Sequence, residues 1–425
     1  MAMLGQKFGF KEYVDPLTGR FLKEGDPLLP WVNDWQVLRM FGVGQLGLSR
    51  EAPEWNPWTR GQHSLSVAFL GLAIAESAGL SVDDQWKAFV KGLYHDPHPA
   101  GGDGMKLALG ISEADVAHEY WFTGASLLRF KRRCRDMGWN WEEMKGEIMD
   151  MVCRKDMSIT GRLVHGPDKG VADADFLGYT MADLAFGSAY QGMNRGSRWC
   201  EGVKNIGDCE VAKDLIALSL GLELSWFGIG KGEKRVRHHH SFSIEDFNPI
   251  GRMMWNEKNN TWVFTDPEVI HHLVIASTFL YLSLYFHPGV QGPELMLKKG
   301  IEKLGIAGEL GKIAMESDDR DLVEALRESG LGYWLTSEAH RGWSYKRIIS
   351  QENERAGEYR FTVPKFNLRL DTPVLMNGKV VPFREARPDS ASLSEAVYIR
   401  SEREMLLVDE NWAERPEQLM KTGDV

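Results

Sequence analysis

Two short stretches of the sequence hold the residues best suited to metal binding and catalysis. The first contains Arg60 and His63, and the second contains His95, Asp96 and His98. Imidazole and carboxylate groups bind divalent metals, and the planar guanidinium of arginine pairs well with phosphate oxygens. This combination predicts hydrolysis of a phosphate ester at a metal centre, with a nucleotide as the expected substrate.

A third group of candidate residues lies far downstream, at Asp175, Tyr179 and Asp183. Steps of four residues place all three on one face of a helix. The predicted metal ligands are two imidazoles and two carboxylates from three separate segments, namely His63, His95, Asp96 and Asp175. Such a set suits a divalent ion of Mn, Mg, Fe, Co, Ni or Zn.

Hydrophobic periodicity predicts the helices that would position these residues. Apolar side chains recur every three or four residues from Gln62 to Ser77, the segment that contains the first histidine. A second predicted helix, from Val82 to Leu93, delivers His95 and Asp96 at its C-terminal end. Further helical patterns cover residues 113–133, 141–153, 172–186, 211–222 and much of 266–329.

The C-terminal part of the chain has a different pattern. Residues 358–363, 373–383 and 396–401 alternate like strands, and Asn377-Gly378 is a strong signal for a two-residue hairpin turn. The predicted fold is therefore mainly α, with a helical core and a smaller mixed α/β C-terminal lobe. The predicted divisions are an irregular N-terminal layer over residues 1–50, the helical core over 51–330 and the mixed lobe over 331–425.

Composition predicts a protein of the cytoplasm. The net charge of −10 argues against a general nucleic-acid binder. The four cysteines lack CxxC spacing and suit a reducing compartment, and the N-terminus lacks the apolar stretch of a secretion signal. The longest apolar run, from Leu273 to Phe286, is shorter than the roughly 18 residues that cross a bilayer. It predicts a buried helix and no membrane association.

The order of the candidate residues resembles that of a known enzyme family. A histidine, then a His-Asp pair, then an aspartate on a later helix is the pattern of the HD-domain metal-dependent phosphohydrolases. The stretch RGQHSLSV, from Arg60 to Val67, is similar to the R-x-x-H-S-L-x-V segment of the dNTP triphosphohydrolase branch, which includes the dGTP triphosphohydrolases and the SAM-and-HD-domain proteins. The resemblance covers most of residues 55–400, sparsely between motifs, and implies a helical HD-domain core.

The downstream helix gives the closest match to this branch. Asp173, Asp175, Tyr179 and Asp183 reproduce its D-x-D-x-x-x-Y-x-x-x-D spacing. The resemblance implies that Asp175 binds the metal, with Asp173 as the alternative ligand. It also implies that Tyr179 and Asp183 contact the sugar of the substrate, while Arg60 binds phosphate.

The resemblance implies further catalytic residues. His98 matches the first histidine of a loop that follows the His-Asp pair, once one residue is deleted, and Asp103 stands where the second loop histidine is expected. His118 resembles a catalytic histidine that supplies a proton, with a helix-surface histidine as the alternative. A late lysine that reaches phosphate corresponds to Lys299, or to its neighbour Lys298.

Carried over to this chain, the resemblance implies hydrolysis of a deoxynucleoside triphosphate to deoxynucleoside and tripolyphosphate. It also implies a homo-oligomer. The basic stretch from Lys231 to His240 is expected to be a solvated surface loop. The alternative is that this stretch binds a nucleotide effector or single-stranded nucleic acid.

Two other functions stay open at the level of sequence. One is an HD nucleotidase that cleaves deoxynucleoside monophosphates, although such proteins carry a glutamate where this chain has Pro99. The other is a regulator that binds nucleotides or single-stranded nucleic acid and turns over slowly. The released phosphate distinguishes the first alternative from a triphosphohydrolase, since a monophosphatase releases orthophosphate from dNMPs and a triphosphohydrolase releases tripolyphosphate from dNTPs. Tight binding without turnover would identify the second alternative.

Overall fold

The structure is a computed structural model that describes most of the chain. The described residues are 9–15, 17–45, 58–183, 248–281, 304–329 and 367–401, with shorter stretches at 223–227, 237–241, 297–298, 301–302, 343–347, 358–362 and 404–409. Helices predominate, and a smaller C-terminal region contains sheet. The predicted fold class, a helical core with a smaller mixed α/β lobe, is confirmed. The helix predicted over 211–222 lies outside the described residues.

The helices are numbered here in chain order. They are α1 Leu29–Val32, α2 Trp35–Met40, α3 Arg60–Ser77, α4 Val82–Tyr94, α5 Gly102–Leu109, α6 Glu113–Val116, α7 Gly124–Asp136, α8 Trp141–Val152, α9 Ile159–Val164, α10 Ala174–Ala182, α11 Pro267–Leu280, α12 Ala307–Glu316, α13 Asp319–Glu328, α14 Phe383–Ala386 and α15 Pro388–Ser401. A π-helical turn, Ala117–Trp121, follows α6 and interrupts the continuous helix predicted over 113–133.

In the described part of the chain, the strands form four small sheets. They are β1 Glu12–Val14, β2 Phe21–Lys23, β3 Glu223–Phe227, β4 Arg237–Ser241, β5 Met253–Asn256, β6 Thr261–Phe264, β7 Trp343–Arg347, β8 Glu358–Thr362, β9 Pro373–Met376, β10 Lys379–Pro382 and β11 Glu404–Asp409. The orders are β1-β2, β3-β4, β10-β9-β6-β5 and β7-β11-β8. The parallel pairing of β6 with β9, at Phe264 and Val374, joins strands that are distant in sequence.

Helix α3 is the centre of the core. Thr59 caps it, since its side chain accepts a hydrogen bond from the Gln62 backbone N–H while the Gln62 side chain accepts one from the Thr59 backbone N–H. This capping box starts the helix at Arg60, two residues before the predicted start. Nearly every residue up to Ala75 is buried, so the rest of the core encloses the helix on all sides.

Helix α4 packs against α3 at unusually short range. Ser81 caps its N-terminus, and His95 is the C-cap residue at its other end. At the crossing, a Cβ atom added to Gly92 would lie 2.5 Å from the Ala68 Cα. Only glycine allows this approach, which sets the distance between the two helices that carry the first two candidate motifs.

Replacing Gly92 by alanine is expected to lower the free energy of unfolding by about 1–3 kcal/mol, because the new methyl group meets backbone atoms of α3. Urea denaturation would measure the loss. Gly146→Ala in α8 is the matched control, since that exposed helical glycine has open space around it. The control should gain about 0.5–1 kcal/mol. Equal midpoints for both variants would contradict the tight crossing.

The N-terminal segment packs closely on this core. It contains a β1–β2 hairpin and two short helices, although the sequence predicted an irregular layer. The Tyr13 ring stacks on Phe69 of α3, with ring centroids 6.0 Å apart. The buried Asp15 accepts a hydrogen bond of 2.6 Å from the Ser66 hydroxyl. The N-terminal segment therefore covers one side of α3.

In the C-terminal region the hairpin prediction is confirmed and one strand prediction is wrong. Asn377 and Gly378 both have positive φ, 49° and 74°, and join β9 to β10 as predicted. The strand prediction for residues 396–401 is wrong, because they continue α15. Ser390, Ala391 and Ser394 of α15 are buried at helical spacing against α11, so tertiary packing overrides local strand propensity.

The prediction of a surface loop for the basic, histidine-rich stretch is also wrong in part. Residues Arg237–Ser241 pair antiparallel with β3 and form β4, so the predicted loop is wrong for these residues. Residues 231–236 lie outside the described part of the chain. These residues form a strand because they pair with β3, and the basic composition of the stretch does not reveal that pairing.

Within the described residues, none of the helices combines the length and the apolar composition needed to traverse a bilayer.

Candidate metal centre

Two histidines from adjacent helices face each other in the core. His63 lies one turn into α3, and His95 caps α4. Their ring centroids are 5.1 Å apart, and both side chains are almost fully buried. The tight crossing of α3 and α4 therefore brings the first and second sequence motifs together.

The third segment reaches the same point through α10. The Asp175 carboxylate oxygen Oδ1 is 3.2 Å from His63 Nε2 and 3.3 Å from His95 Nε2. Asp96 completes the group, because one donor atom each from His63, His95 and Asp96 lie within 4.8 Å of one another. The structure thus brings together all four predicted ligands.

Asp173, the alternative ligand, has a different task. It is the N-cap of α10, and its Oδ1 accepts a hydrogen bond of 2.9 Å from the Phe176 backbone N–H. Its Oδ2 accepts one of 3.0 Å from the Gly166 backbone N–H. With both oxygens used in this way, Asp173 holds the start of α10, and Asp175 is the carboxylate that faces the histidines.

The chemistry of the His95 ring fits a metal. Its Nδ1–H donates a 2.8 Å hydrogen bond to the Gly92 carbonyl oxygen, which leaves Nε2, 3.3 Å from Asp175 Oδ1, as the atom that would bind a metal. That Nε2 is buried and, apart from its contact with the Asp175 carboxylate, has no hydrogen-bond partner among the described residues. A buried polar atom without a partner is costly, and a backbone bond on the other nitrogen is the usual arrangement of a ligating histidine.

The charges of the site point the same way. Burial by itself lowers the pKa of His95, but the nearby carboxylates of Asp175 and Asp96 more than offset it and raise the pKa to about 9. Burial by itself raises the pKa of Asp175, yet the three histidines around it hold that pKa well below its usual range. A site that attracts a proton this strongly also attracts a metal cation, since both use the same lone pair.

Arg60 lies beside the ligand cluster and is paired with two carboxylates. Its Nη1 is 3.0 Å from Asp96 Oδ2, and its Nη2 contacts Asp103. Lys106 Nζ is 2.8 Å from Asp103 Oδ1, so Asp103 bridges two cations at the rim, where half of its side chain is exposed. Desolvation by itself would raise the pKa of Asp103, but the positive charges of Arg60 and Lys106 lower it.

His98 is buried next to the same carboxylate. Its Nε2 is 2.6 Å from Asp96 Oδ2, and its Nδ1 is 4.0 Å from Asp103 Oδ1. Burial first, and then the positive charge of Arg60, lower the pKa of His98. The imidazole is therefore neutral near pH 7 and can accept a proton.

The sequence patterns did not predict two residues that contact the candidate ligands. His165 Nδ1 lies 3.4 Å from Asp175 Oδ2, and Arg154 Nη2 lies 3.7 Å from the same oxygen. Neither belongs to a helical pattern, because Arg154 follows the end of α8 and His165 follows α9. The only signal in the sequence was a histidine shortly before the D-x-D motif, directly followed by Gly166.

The predicted sugar-binding residues lie further along α10. The Tyr179 hydroxyl is 3.3 Å from the Tyr281 hydroxyl, and Asp183 is fully buried as the C-cap residue of the helix. Burial, followed by the neighbouring Tyr281, raises the pKa of Tyr179 well above its usual value, so the phenol stays protonated. Asp175, Tyr179 and Asp183 follow one another at one-turn steps, as the spacing predicted.

His118 is the predicted residue that the described structure does not join to the cluster. His118 is exposed on the π-helical turn after α6, and no hydrogen bond or ion pair connects it to the metal ligands in the described structure. Lys299 lies outside the described residues. Its neighbour Lys298 is described, and its Nζ is 4.0 Å from Glu302 Oε1.

Comparisons with known proteins identify the fold. No family model matches the sequence, and no curated protein matches it. A hypothetical protein from Aquifex aeolicus has a similar structure, with a TM-score of 0.59, 17% identity, and coverage of 96% of this chain and 99% of that one. A phosphohydrolase from Bacteroides thetaiotaomicron VPI-5482 gives a TM-score of 0.61 and 14% identity, covering 94% of this chain and all of its own. The chain therefore has a fold that a phosphohydrolase also uses.

Proposed function

We propose that this protein is a metal-dependent phosphohydrolase that converts deoxynucleoside triphosphates to deoxynucleosides and tripolyphosphate. The observation that carries the proposal is the meeting of His63, His95, Asp96 and Asp175, from three segments, beside the Arg60 guanidinium. The order and spacing of these residues, and a fold shared with a phosphohydrolase, support it.

The site needs an added cation before it can accept a triphosphate. Among the described residues, Arg60 and Arg154 contact the ligand carboxylates and Lys106 contacts Asp103, so these three basic side chains are already paired. A divalent ion held by the four ligands would offset phosphate charge and lower the pKa of a bound water. Arg60 would then place its guanidinium against the phosphate chain.

The proton transfers are assigned to two histidines. His98, which is neutral and buried against Asp96, is proposed to orient water and accept its proton. The leaving 5′-oxygen is strongly basic and needs an acid, for which His118 is the proposed donor. His118 is exposed, so it can meet the substrate from the solvent side.

The remaining residues are assigned to substrate recognition. Tyr179 would pack against the sugar and leave little room for a 2′-hydroxyl, while Asp183 would accept a hydrogen bond from the 3′-hydroxyl. Lys299 is proposed to bind phosphate. These roles favour deoxynucleotides over ribonucleotides.

The decisive experiment is a product analysis. The full-length protein would be incubated with each of the four dNTPs, the matching rNTPs and the four dNMPs, in the presence of Mn²⁺, Co²⁺ or Mg²⁺. We expect nucleoside and tripolyphosphate from dNTPs, and slower turnover of rNTPs because of Tyr179. Chromatography of the nucleoside and of the phosphate products gives the answer directly.

Each other outcome rejects the proposed reaction in a recognisable way. Orthophosphate from dNMPs, with intact dNTPs, would identify a monophosphatase. Nucleotide binding without metal-dependent turnover of any substrate would identify a binding protein. A chelator-treated sample serves as the control, since hydrolysis that survives metal removal cannot come from this centre.

A further inference from the structure

His165 occupies a position that the sequence motifs do not account for. Its Nδ1 lies 3.4 Å from Asp175 Oδ2, and its ring centroid is 5.7 Å from that of His95. The residue is 6% exposed, and apart from the Asp175 contact its buried Nδ1 has no hydrogen-bond partner among the described residues. A buried nitrogen directed at a ligand carboxylate is itself a potential ligand.

The two oxygens of Asp175 face different partners. Oδ1 faces His63 and His95, whereas Oδ2 faces His165 and Arg154. One donor atom each from His95, His165 and Asp175 lie within 4.8 Å of one another, as do those of His63, His95 and Asp96. Since ligands bind at about 2.0–2.2 Å from an ion, donors of one ion lie roughly 3–4.4 Å apart. His95 belongs to both groups and Asp175 also contacts His63, so these two residues link His165 to the other ligands.

We propose that His165 is a fifth protein ligand of the same divalent ion, and that the resulting set of three imidazoles and two carboxylates selects a transition metal over Mg²⁺. Imidazole nitrogen binds Mn²⁺, Fe²⁺, Co²⁺, Ni²⁺ and Zn²⁺ well, whereas Mg²⁺ prefers oxygen ligands and keeps several waters. The inference rests on the metal centre of the proposed function, but it is independent of which nucleotide is cleaved.

Arg154 supports the same carboxylate without being a ligand. Its backbone has a positive φ of 53°, and its Nη1 donates a 2.8 Å hydrogen bond to the Gly166 carbonyl and a 3.3 Å one to Asp173. A guanidinium has donors only and cannot bind a cation. Arg154 is therefore a positioning residue for Asp175, and it provides a comparison for His165.

The test is a metal titration that uses no nucleotide. Full-length wild-type protein, His165→Ala and His165→Asn would be freed of metal with a chelator and titrated with Co²⁺, recording the visible spectrum and the Kd by chelator competition. Both variants should lose on the order of 10²-fold in Co²⁺ affinity and change the ligand-field spectrum, while Mg²⁺ affinity changes less. Arg154→Gln should weaken binding about 10-fold at most and keep the wild-type spectrum.

Two results would overturn the proposal. One is a wild-type Co²⁺ spectrum and affinity in His165→Ala. The other is full recovery in His165→Asn, whose amide can still donate to Asp175, since that would make His165 a positioning residue only. Circular dichroism would verify that each variant is folded, and the Asn variant supplies the answer where the Ala variant fails to fold.

The controls separate this proposal from the one above. All proteins in the titration would carry His272→Gln, which disables a second group of potential ligands formed by Glu268, His271 and His272. If His95→Ala/Asp96→Ala also keeps wild-type Co²⁺ binding, the whole metal centre is rejected. If metal binding behaves as expected but no dNTP is cleaved, only the substrate assignment is rejected.

Discussion

Simultaneous replacement of His95 and Asp96 by alanine is expected to lower phosphate-ester hydrolysis by at least about 10³-fold. The two side chains lie between His63, Asp175 and Arg60, and the double variant removes half of the predicted ligands. A bound metal is worth several kcal/mol of transition-state stabilisation, and each 1.36 kcal/mol corresponds to a factor of ten in rate. The rate of product formation and the metal content of the purified protein would be measured together.

The control for this variant is His272→Ala, because His272 belongs to the other group of potential ligands, on α11. It should keep both the catalytic rate and the high-affinity metal. A double variant at His95 and Asp96 that retains its activity would remove the basis of the proposed enzyme. Loss of metal with retained hydrolysis would place the chemistry elsewhere in the chain.

Lys91→Ala is expected to lower the free energy of unfolding by about 3–5 kcal/mol. Lys91 is fully buried in α4, and its Nζ lies 2.6 Å from Asp156 and 2.7 Å from Glu147. Ser158 accepts a third contact, at 2.9 Å. Removing the ammonium group leaves the buried Asp156 carboxylate without its cation, which costs far more than the loss of a surface pair. Urea denaturation followed by circular dichroism would measure the change.

Lys87→Ala is the matched control for Lys91, one turn earlier on the same helix. Lys87 pairs with the exposed Asp83 at 3.2 Å, an i,i+4 contact at the surface. Its loss should cost about 0.3–0.5 kcal/mol. Similar losses in the two variants would show that the buried cluster adds no more than a surface pair. Because Lys91 lies one turn before His95, we also expect its loss to weaken metal binding.

The helices nearest the site could be predicted because their signals are local. Apolar periodicity gave α3 and α4 nearly to their ends, and Asn377-Gly378 gave the hairpin, since backbone conformation at these positions depends on neighbouring residues. The spacing of Asp175, Tyr179 and Asp183 fixed their common helix face for the same reason. The errors occurred where distant contacts dominate, as in residues 396–401, which continue α15, a helix that packs against α11.

The sequence by itself determined which side chains are candidates for the chemistry and which of them share a helix, because residue type and spacing along a helix are local properties. Only the tertiary structure decided that α3, α4 and α10 bring the Nε2 atoms of His63 and His95 within 3.3 Å of the Asp175 carboxylate. It alone placed His165 and Arg154 on the second oxygen of Asp175. Both residues follow helix ends, where direction depends on packing against the rest of the core, and no periodicity along the chain encodes that direction.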